Sequence, residues 1–438
     1  MSPPIDSLPT ELLVIAFHMA IKSPFHPNPI SLDFLLPLRL SHVSKRFRAL
    51  IIHTPSLWTT IFVDLTKSSR LQFLSNLYLE RSFPLPFDLE IRAYGKPGAH
   101  IDGVLDIFTR QIDRCHSLSV HTHDGEHFMQ IASSFLQFPA PSLQYLEFRV
   151  FRIITSIHLQ ELFKGIAPSL MRIRLQGLIL EGWDPSILSN LSTLEIGGWL
   201  HQASCEEWRN ILTNSTSLEN LILRSVPSRF FVNTPPPIPI PSLRSLTLTS
   251  SFNYTPVFQI ISVLSTPSLE SLVLIQGHPA WENTGWSEFI CQAARHRAEF
   301  PLYSKLRSLA LSGVPLGRVG RAFIGAFPGI THLSVACIDV KPILHTLVPS
   351  REAKSWNSKS LGLYDEDDVP WPALGHLTLD SLDVPTRELH QVLRTRIEYG
   401  CPISEVFVRV DRKLDEYPEA LRWDGMGGTL IREIVEVR

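Results

Sequence analysis

One hexamer, L-x-x-L-x-L, returns along most of the chain and constrains its fold more than any other feature. Clear copies begin at Leu143 (LQYLEF), Leu170 (LMRIRL), Leu191 (LSTLEI), Leu218 (LENLIL), Leu243 (LRSLTL), Leu269 (LESLVL), Leu306 (LRSLAL), Ile330 (ITHLSV) and Leu374 (LGHLTL), with weaker ones at Cys115 (CHSLSV) and Ile403 (ISEVFV). From Cys115 onward the intervals are 28, 27, 21, 27, 25, 26, 37, 24, 44 and 29 residues. Alternate side chains of a strand face opposite ways, so Leu246 and Leu248 point one way while Ser245, Thr247 and Thr249 point the other. No single strand can bury such a stripe by itself. Stacked side by side, the copies form one continuous parallel sheet whose inner face is a shared core.

Most intervals fall in or near the 20 to 29 residues of leucine-rich repeats. The expected fold class is therefore α/β: a curved solenoid with the parallel sheet on the concave side and helices on the convex side. About eleven irregular repeats would fill residues 66–438, with a C-terminal cap over about 403–438 and a final strand from Leu430 to Val437. Helical spacing between strands appears at Ile157 to Ile166, Glu206 to Leu212, Val257 to Leu264, Phe289 to Ala298 and Thr386 to Ile397. Several segments end in Pro-Ser-Leu, where proline stops the helix and sets an extended entry to the next strand. The 34 prolines of the chain suit an array with many element ends. Apolar Phe151, Leu178, Val226, Val314, Ile338 and Leu382 stand where such repeats usually place Asn or Cys, so the coils should be irregular. The two long intervals mark insertions over about 276–305 and 349–372, the second carrying Asp365-Glu366-Asp367-Asp368 as a mobile acidic loop. Thr234 to Pro241, rich in proline, reads as a stiff extended connector.

The outward strand positions would hold a target. The early copies offer Tyr145, Glu147, Arg149, Arg172, Arg174, Glu195 and Arg224; the later ones are small and neutral, with Thr247 and His332 as examples. An Arg149, Arg172, Arg174 and Arg224 cluster could take an acidic or phosphorylated peptide by bidentate pairing. The alternative is a set of solvated arginines balanced by Glu147 and Glu195.

Residues 1–65 do not follow the repeat. They read IDSLPTELLVIAF, a proline-bearing gap, and LLPLRLSHVSKRFRALIIHTPSLWTTI, which predicts short helices with more apolar surface than so small a module can hide alone. Leu8-Pro9-x-Glu11-Leu12-Leu13-x-x-Ala16-Phe17, Leu40-Ser41-x-Val43-Ser44-Lys45-Arg46-Phe47-Arg48-x-Leu50 and Pro55-x-Leu57-Trp58-x-x-Ile61 together resemble the F-box family. Phe47 stands where that family usually has Trp, and residues 21–34 lengthen the first helix connection. The resemblance implies a three-helix F-box that binds a Skp adaptor, and through it a cullin, while the repeats hold a target protein for ubiquitin transfer. The implied adaptor-binding residues are Leu8, Pro9, Leu12, Leu13, Ile15, Phe17, Leu40, Val43, Phe47, Leu50 and Trp58. A repeat scaffold without any ligase role, or a receptor that needs a small molecule, are the alternatives.

Other function classes find little in the sequence. Forty Lys plus Arg against 42 Asp plus Glu leave a formal net charge of -2, so neither nucleic acid nor a membrane is expected as partner. Five scattered cysteines without a C-x-x-C pair, and no apolar run of membrane-spanning length, fit the cytoplasm or nucleus. His121, His123, Asp124, Glu126 and His127 form the one dense metal-capable group, but they read as a strand end and a polar turn. Gly425-Met426-Gly427-Gly428 lacks the Lys and Ser/Thr of a phosphate loop. No catalytic constellation, metal or cofactor is expected, and the chain reads as a binding protein and not an enzyme.

Overall fold

The computed structural model describes residues 5, 8–21, 35–66, 71–95, 101–151, 156–158, 163–181, 185–197, 205–224, 237–250, 264–276, 303–313, 327–337, 339–349, 369–381, 384–410 and 430–435. The chain forms two compact units, residues 1–194 and 195–438.

The first unit opens with three helices, α1 (Thr10–Ile21), α2 (Leu36–Ser41) and α3 (Lys45–Ile52). Ser44 caps α3 by accepting the Phe47 N–H at 3.1 Å, which satisfies one of the orphan donors of the first turn. Phe17 of α1 meets Phe47 of α3 edge-on, with ring centroids 5.1 Å apart. Leu13, Phe17, Phe47 and Ile51 are buried between these helices. A 3-10 turn, Pro55–Leu57, then delivers Trp58 into the core.

Strand β1 (Thr60–Asp64) follows at once, then β2 (Phe87–Ala93), β3 (Cys115–Thr122), β4 (Tyr145–Val150), β5 (Arg172–Gln176) and β6 (Thr193–Gly197), inside which the unit boundary falls. The first five pair in parallel with their chain neighbours. Leu118, Leu146 and Ile173 stand in register across three strands, as do Val120, Phe148 and Leu175, and all six are buried. Helices α4 (Leu71–Ser82), α5 (Ile101–Thr109) and α6 (Gly125–Leu136) cover this leucine face. Phe108 lies 6.4 Å from Phe87, and Phe128 lies 5.1 Å from Phe148, centroid to centroid.

Strands β1 and β2 lie upstream of the hexamers recognised in the sequence. The first keeps the frame with buried Trp58-x-x-Ile61-x-Val63, and the second buries Phe87, Leu89 and Ile91, with a register shift at Phe87 that pairs it with Cys115. The described ends of the segment Ile157 to Ile166, where a helix was expected, take other conformations. Ser156–His158 is a strand paired in parallel with Ile179–Glu181, and residues 163–165 turn with φ of 51, 52 and 71° at Phe163, Lys164 and Gly165. That left-handed turn drives Phe163 to full burial, and the anchoring of one large ring overrides the helical spacing. After β5, Gly177 at φ 74° makes the turn; a Cβ there would meet the Val150 carbonyl oxygen at 1.9 Å, so only glycine fits.

In the second unit, β7 (Asn220–Arg224), β8 (Ser245–Ser250), β9 (Ser271–Gln276), β10 (Ser308–Ser312), β11 (His332–Ala336), β12 (His376–Asp380), β13 (Glu405–Val410) and β14 (Leu430–Val435) again pair in chain order and in parallel. The first hexamer positions Leu218, Leu243, Leu269, Leu306, Ile330, Leu374 and Ile403 are all buried. Two sequence-expected helices are present as α7 (Cys205–Asn214) and, after the short α8 (Lys341–Thr346), α9 (Thr386–Glu398). Ile238–Pro239, in the proline-rich connector, pairs with Leu264–Ser265. The helix expected at Phe289 to Ala298, most of that at Val257 to Leu264, and the acidic stretch 365–368 lie outside the described residues.

The large-insertion end of this unit is clasped by Arg396. Fully buried on α9, its guanidinium donates to the carbonyls of Leu347, Pro370, Trp371 and Cys401 at 2.8 to 3.1 Å. Trp371 in turn donates its indole N–H to the Phe327 carbonyl at 2.8 Å. Burial lowers the Arg396 pKa to about 10.

Candidate functional site

Two surfaces of the described residues merit a functional reading. The first is on the N-terminal helices. Among the residues expected to meet an adaptor, Leu13, Phe17, Phe47 and Trp58 are at most 6% exposed and cannot reach a partner. They are the module's own core, because the large apolar side chains of α1, α3 and the turn that follows bury one another first. Leu40 and Leu50 are half-buried, and Pro9 is exposed. Leu8, Leu12, Ile15 and Val43 are 40, 51, 54 and 64% exposed, and Ile5 and Met19, outside the residues expected to meet the adaptor, join them at 46 and 69%. Ile5, Leu8, Leu12, Ile15 and Met19 step by three and four residues, which places Leu12, Ile15 and Met19 along one side of α1, with Leu8 just ahead of its first turn. The borders are mostly cationic: Lys45 and Arg48 are exposed beside Val43, and Arg46 donates to the Leu8 carbonyl at 2.5 Å.

The second surface is the sheet face opposite the leucines. In the first unit its residues form rows across the strands. One runs Phe62, Glu90, Ser119, Glu147, Arg174; the next runs Asp64, Arg92, His121, Arg149, Gln176. The hexamers had shown the β4 and β5 members but not Glu90, Arg92 or Tyr94, because β2 begins its hexamer with Pro86. The signal that would have found them is spacing: Trp58, Pro86 and Cys115 lie 28 and 29 residues apart.

Glu147 is the hub of these rows. It accepts from the Tyr145 hydroxyl at 2.7 Å, forms an ion pair with Arg149, and has Arg174 Nε and His121 Nε2 each at 3.6 Å. Burial alone would raise its pKa; contacts from His121 and Tyr145 and the charge of Arg149 outweigh it and hold the carboxyl at about 2. Burial, with Glu147 as its hydrogen-bond acceptor, pushes the Tyr145 hydroxyl upward. His121 also lies 3.6 Å from Glu90 through Nδ1, and Glu90 binds Arg92 at 2.5 and 2.6 Å. Arg149 and Arg174 are thus balanced by Glu147, Arg172 stands exposed one row away, and in the second unit Arg224 meets Glu195 at 2.7 Å. The four arginines of the expected cluster therefore divide between the units, three in the first and one in the second. His121 is not paired with His123 or His127; His127 instead binds Asp124, the cap of α6, at 2.7 Å. Among the described residues no three His, Cys, Asp or Glu side chains converge as metal ligands.

The same face of the second unit is different in kind. Its middle row is Ile222, Thr247, Val273, Ala310, Ser334, Thr378 and Phe407, all half-buried. His332 and His376 stand beside it in register, their rings stacked at 4.2 Å and 8°, and His376 Nδ1 lies 3.2 Å from Glu405. Burial, then the neighbouring His376, lowers the His332 pKa.

Among the described residues, no helix is long and apolar enough to cross a membrane. No family model matches the chain. No curated protein matches it either. Among solved structures, a structural-genomics target protein from Bacteroides fragilis aligns with 16% identity and a TM-score of 0.32 over 52% of this chain and 64% of its own length. The chain is an α/β protein built on a large, repeat-like parallel sheet.

Proposed function

We propose that the chain is a substrate receptor of a Skp-cullin-F-box ubiquitin ligase, its N-terminal helices binding the adaptor and its repeats binding the target. The observation that carries this reading is the exposure of Leu8, Leu12, Ile15, Met19 and Val43, on segments that resemble the F-box at Leu8-Pro9-x-Glu11-Leu12-Leu13 and Leu40-Ser41-x-Val43. Each buried aliphatic side chain contributes about 1.5 to 3 kcal/mol, so a few such anchors suffice for a stable complex. A row of apolar groups held in water on a folded helix is explained by a partner that covers it. The adaptor contacts are accordingly assigned to Leu8, Leu12, Ile15 and Val43, with Ile5 and Met19 extending the stripe.

The test is co-purification of the full chain with a recombinant Skp-type adaptor, comparing wild type with a Leu12→Asp, Ile15→Asp double variant. Retention of the adaptor by wild type and its loss from the variant, with the thermal unfolding of the two chains unchanged, is the expected result. A wild-type chain that retains no adaptor removes the ligase role and leaves a repeat scaffold.

A further inference from the structure

One row on the open face of the second unit runs Asn220, Ser245, Ser271, Ser308, His332, His376 and Glu405 across neighbouring strands. Strands of a sheet stand about 4.8 Å apart. The rings of His332 and His376 fill that gap as a flat stack, with 4.2 Å between centroids and 8° between planes. His332 Nδ1 lies 2.8 Å from the Thr331 hydroxyl, and His376 Nδ1 lies 3.2 Å from Glu405. Glu405 is thus in line beyond His376, whereas the neighbour of His332 on its other side is the uncharged Ser308. The row next to the stack, Ala310, Ser334, Thr378 and Phe407, is uncharged. Among the described residues, the remaining charges around the stack lie further off. Lys305 is exposed in the turn ahead of β10, and Arg307 turns its guanidinium to the carbonyls of Ser304, Leu306 and Gly329. Asp380 and Arg409, in register with each other, stand four residues further along β12 and β13.

We infer that the stack of His332 on His376 is a pH-sensitive tie between β11 and β12, closed while the two rings hold no more than one proton and parted when both are protonated. One proton is accommodated, because an imidazolium at His376 has Glu405 on one side and the face of a neutral ring on the other. A second sets two like charges directly opposite each other on neighbouring strands, with a carboxylate beyond only one of them. Histidines change charge between pH 5 and 8, so the rings part on the acid side of neutrality. The lowered pKa of His332, from burial and then from His376, reports the same conflict at the ring that has no carboxylate beyond it. The place of the tie gives it a consequence. β11 and β12 belong to hexamers that begin 44 residues apart, at Ile330 and Leu374, the longest interval of the array. On the leucine face this seam is held by Leu333 against Leu377 and Val335 against Leu379, all buried, and by Arg396 on the carbonyls of Leu347, Pro370 and Trp371. Those apolar contacts do not titrate, and Arg396 keeps its charge up to about pH 10. Acid therefore loosens the seam on the open face alone, while the core beneath stays closed. This inference goes beyond the receptor reading and does not depend on what the N-terminal helices bind.

The experiment is amide hydrogen exchange of the full chain at about pH 7.5 and about pH 5, each rate divided by the intrinsic rate of an unprotected amide at that pH. Gly375 and His376 both donate to the Thr331 carbonyl at 3.0 Å, where the stacked rungs begin, and so report on the tie. Expected is a rise of roughly threefold or more in their corrected rates in acid, with no change at Ser271, which donates to the Arg244 carbonyl at 2.9 Å two strands before His332. His332→Phe keeps a ring on His376 that takes no proton, and His332→Asn removes the stack. In both variants the corrected rates at Gly375 and His376 should be the same at the two pH values. His332 is exposed, so both variants retain the fold. No rise in wild type, or an equal rise in His332→Phe, overturns the inference. In the same chain, the proton NMR contact between the two rings should be lost as His332 takes up its proton, and a contact that persists with both rings protonated overturns the inference as well.

Discussion

Trp58 donates its indole N–H to the carbonyl of Ile51 at 2.8 Å, and the same ring stands 4.9 Å from that of Tyr78. One residue thus ties α3, the first rung of the sheet and α4 together, with Arg81 stacked 4.4 Å over its face. Trp58 belongs both to the segment that resembles the end of an F-box and to the first copy of the hexamer frame. The helical head and the first strand of the sheet share a core.

Trp58→Phe keeps most of the packing but removes the shorter of the hydrogen bonds to the Ile51 carbonyl, which still accepts from the Thr54 N–H at 3.3 Å, at an expected cost of about 0.5 to 1.5 kcal/mol. Trp58→Ala adds a large cavity and should cost about 3 to 5 kcal/mol. Urea unfolding of both variants measures the two steps, and equal midpoints would show that the hydrogen bond and the ring contribute nothing separately.

Leu12 and Leu13 are chain neighbours with opposite fates. Leu13→Ala should destabilise by about 2 to 5 kcal/mol, since Leu13 is 1% exposed, whereas Leu12→Ala should change stability by no more than about 0.5 kcal/mol. Thermal unfolding of the two single variants distinguishes them, and a large loss in Leu12→Ala would mean that α1 is covered by its own chain.

Glu147 links the open face to pH. Its folded pKa of about 2 lies below the ordinary 4.5, so the unfolded chain binds the proton first as pH falls. The stability Glu147 contributes is full above about pH 4.5 and is lost as pH drops toward 2, up to about 3 kcal/mol in all. Glu147→Gln should flatten the acid limb of stability against pH over that window. Unchanged acid sensitivity in the variant would locate the effect elsewhere.

His332 behaves in the same direction for another reason. Its folded pKa is lowered by burial and by His376, so stability from its neutral form is present above the ordinary 6.5 and declines as pH falls below it. Proton NMR titration of the ring should show a midpoint below 6.5 that moves upward in His376→Ala. A midpoint unmoved by that substitution would leave burial as the sole cause.

Arg396 serves four backbone carbonyls. Arg396→Lys offers three donors on a compact ammonium in place of a planar fork, and Arg396→Ala offers none. Expected is a graded loss, reaching roughly 3 kcal/mol or more for Ala, seen as faster amide exchange around Trp371 to Leu374 and a lower urea midpoint. Identical exchange in all three chains would show that the clasp is redundant.

The sheet was legible from sequence because its signal is periodic in two ways, within the hexamer and between hexamers. Leu246 and Leu248 find Leu272 and Leu274 as partners because both sets must be buried, and one residue of slip would expose them all. Strands β1 and β2 escaped because Trp58 and Pro86 occupy the leading position. The turn at Phe163 escaped because its backbone is set by what one ring reaches, which spacing does not record. On α1, the pattern gave the apolar residues but not their sides: Leu13 and Phe17 went inward and Leu12 and Ile15 outward, a division decided by where Phe47 of α3 happens to lie. The Glu147 hub was visible as charged residues on adjacent copies, whereas its partner His121 had read as part of a polar strand end.

Within each unit the strands follow one another in space in the order in which they occur in the chain. A rung leaving the ribosome therefore finds its neighbour already made, 21 to 44 residues ahead of it, and never waits for a distant segment. The helical head, made before the strands and joined to the first rung through Trp58, is the natural seed for that growth in the first unit. Synthesis itself can lay down the ribbon one turn at a time.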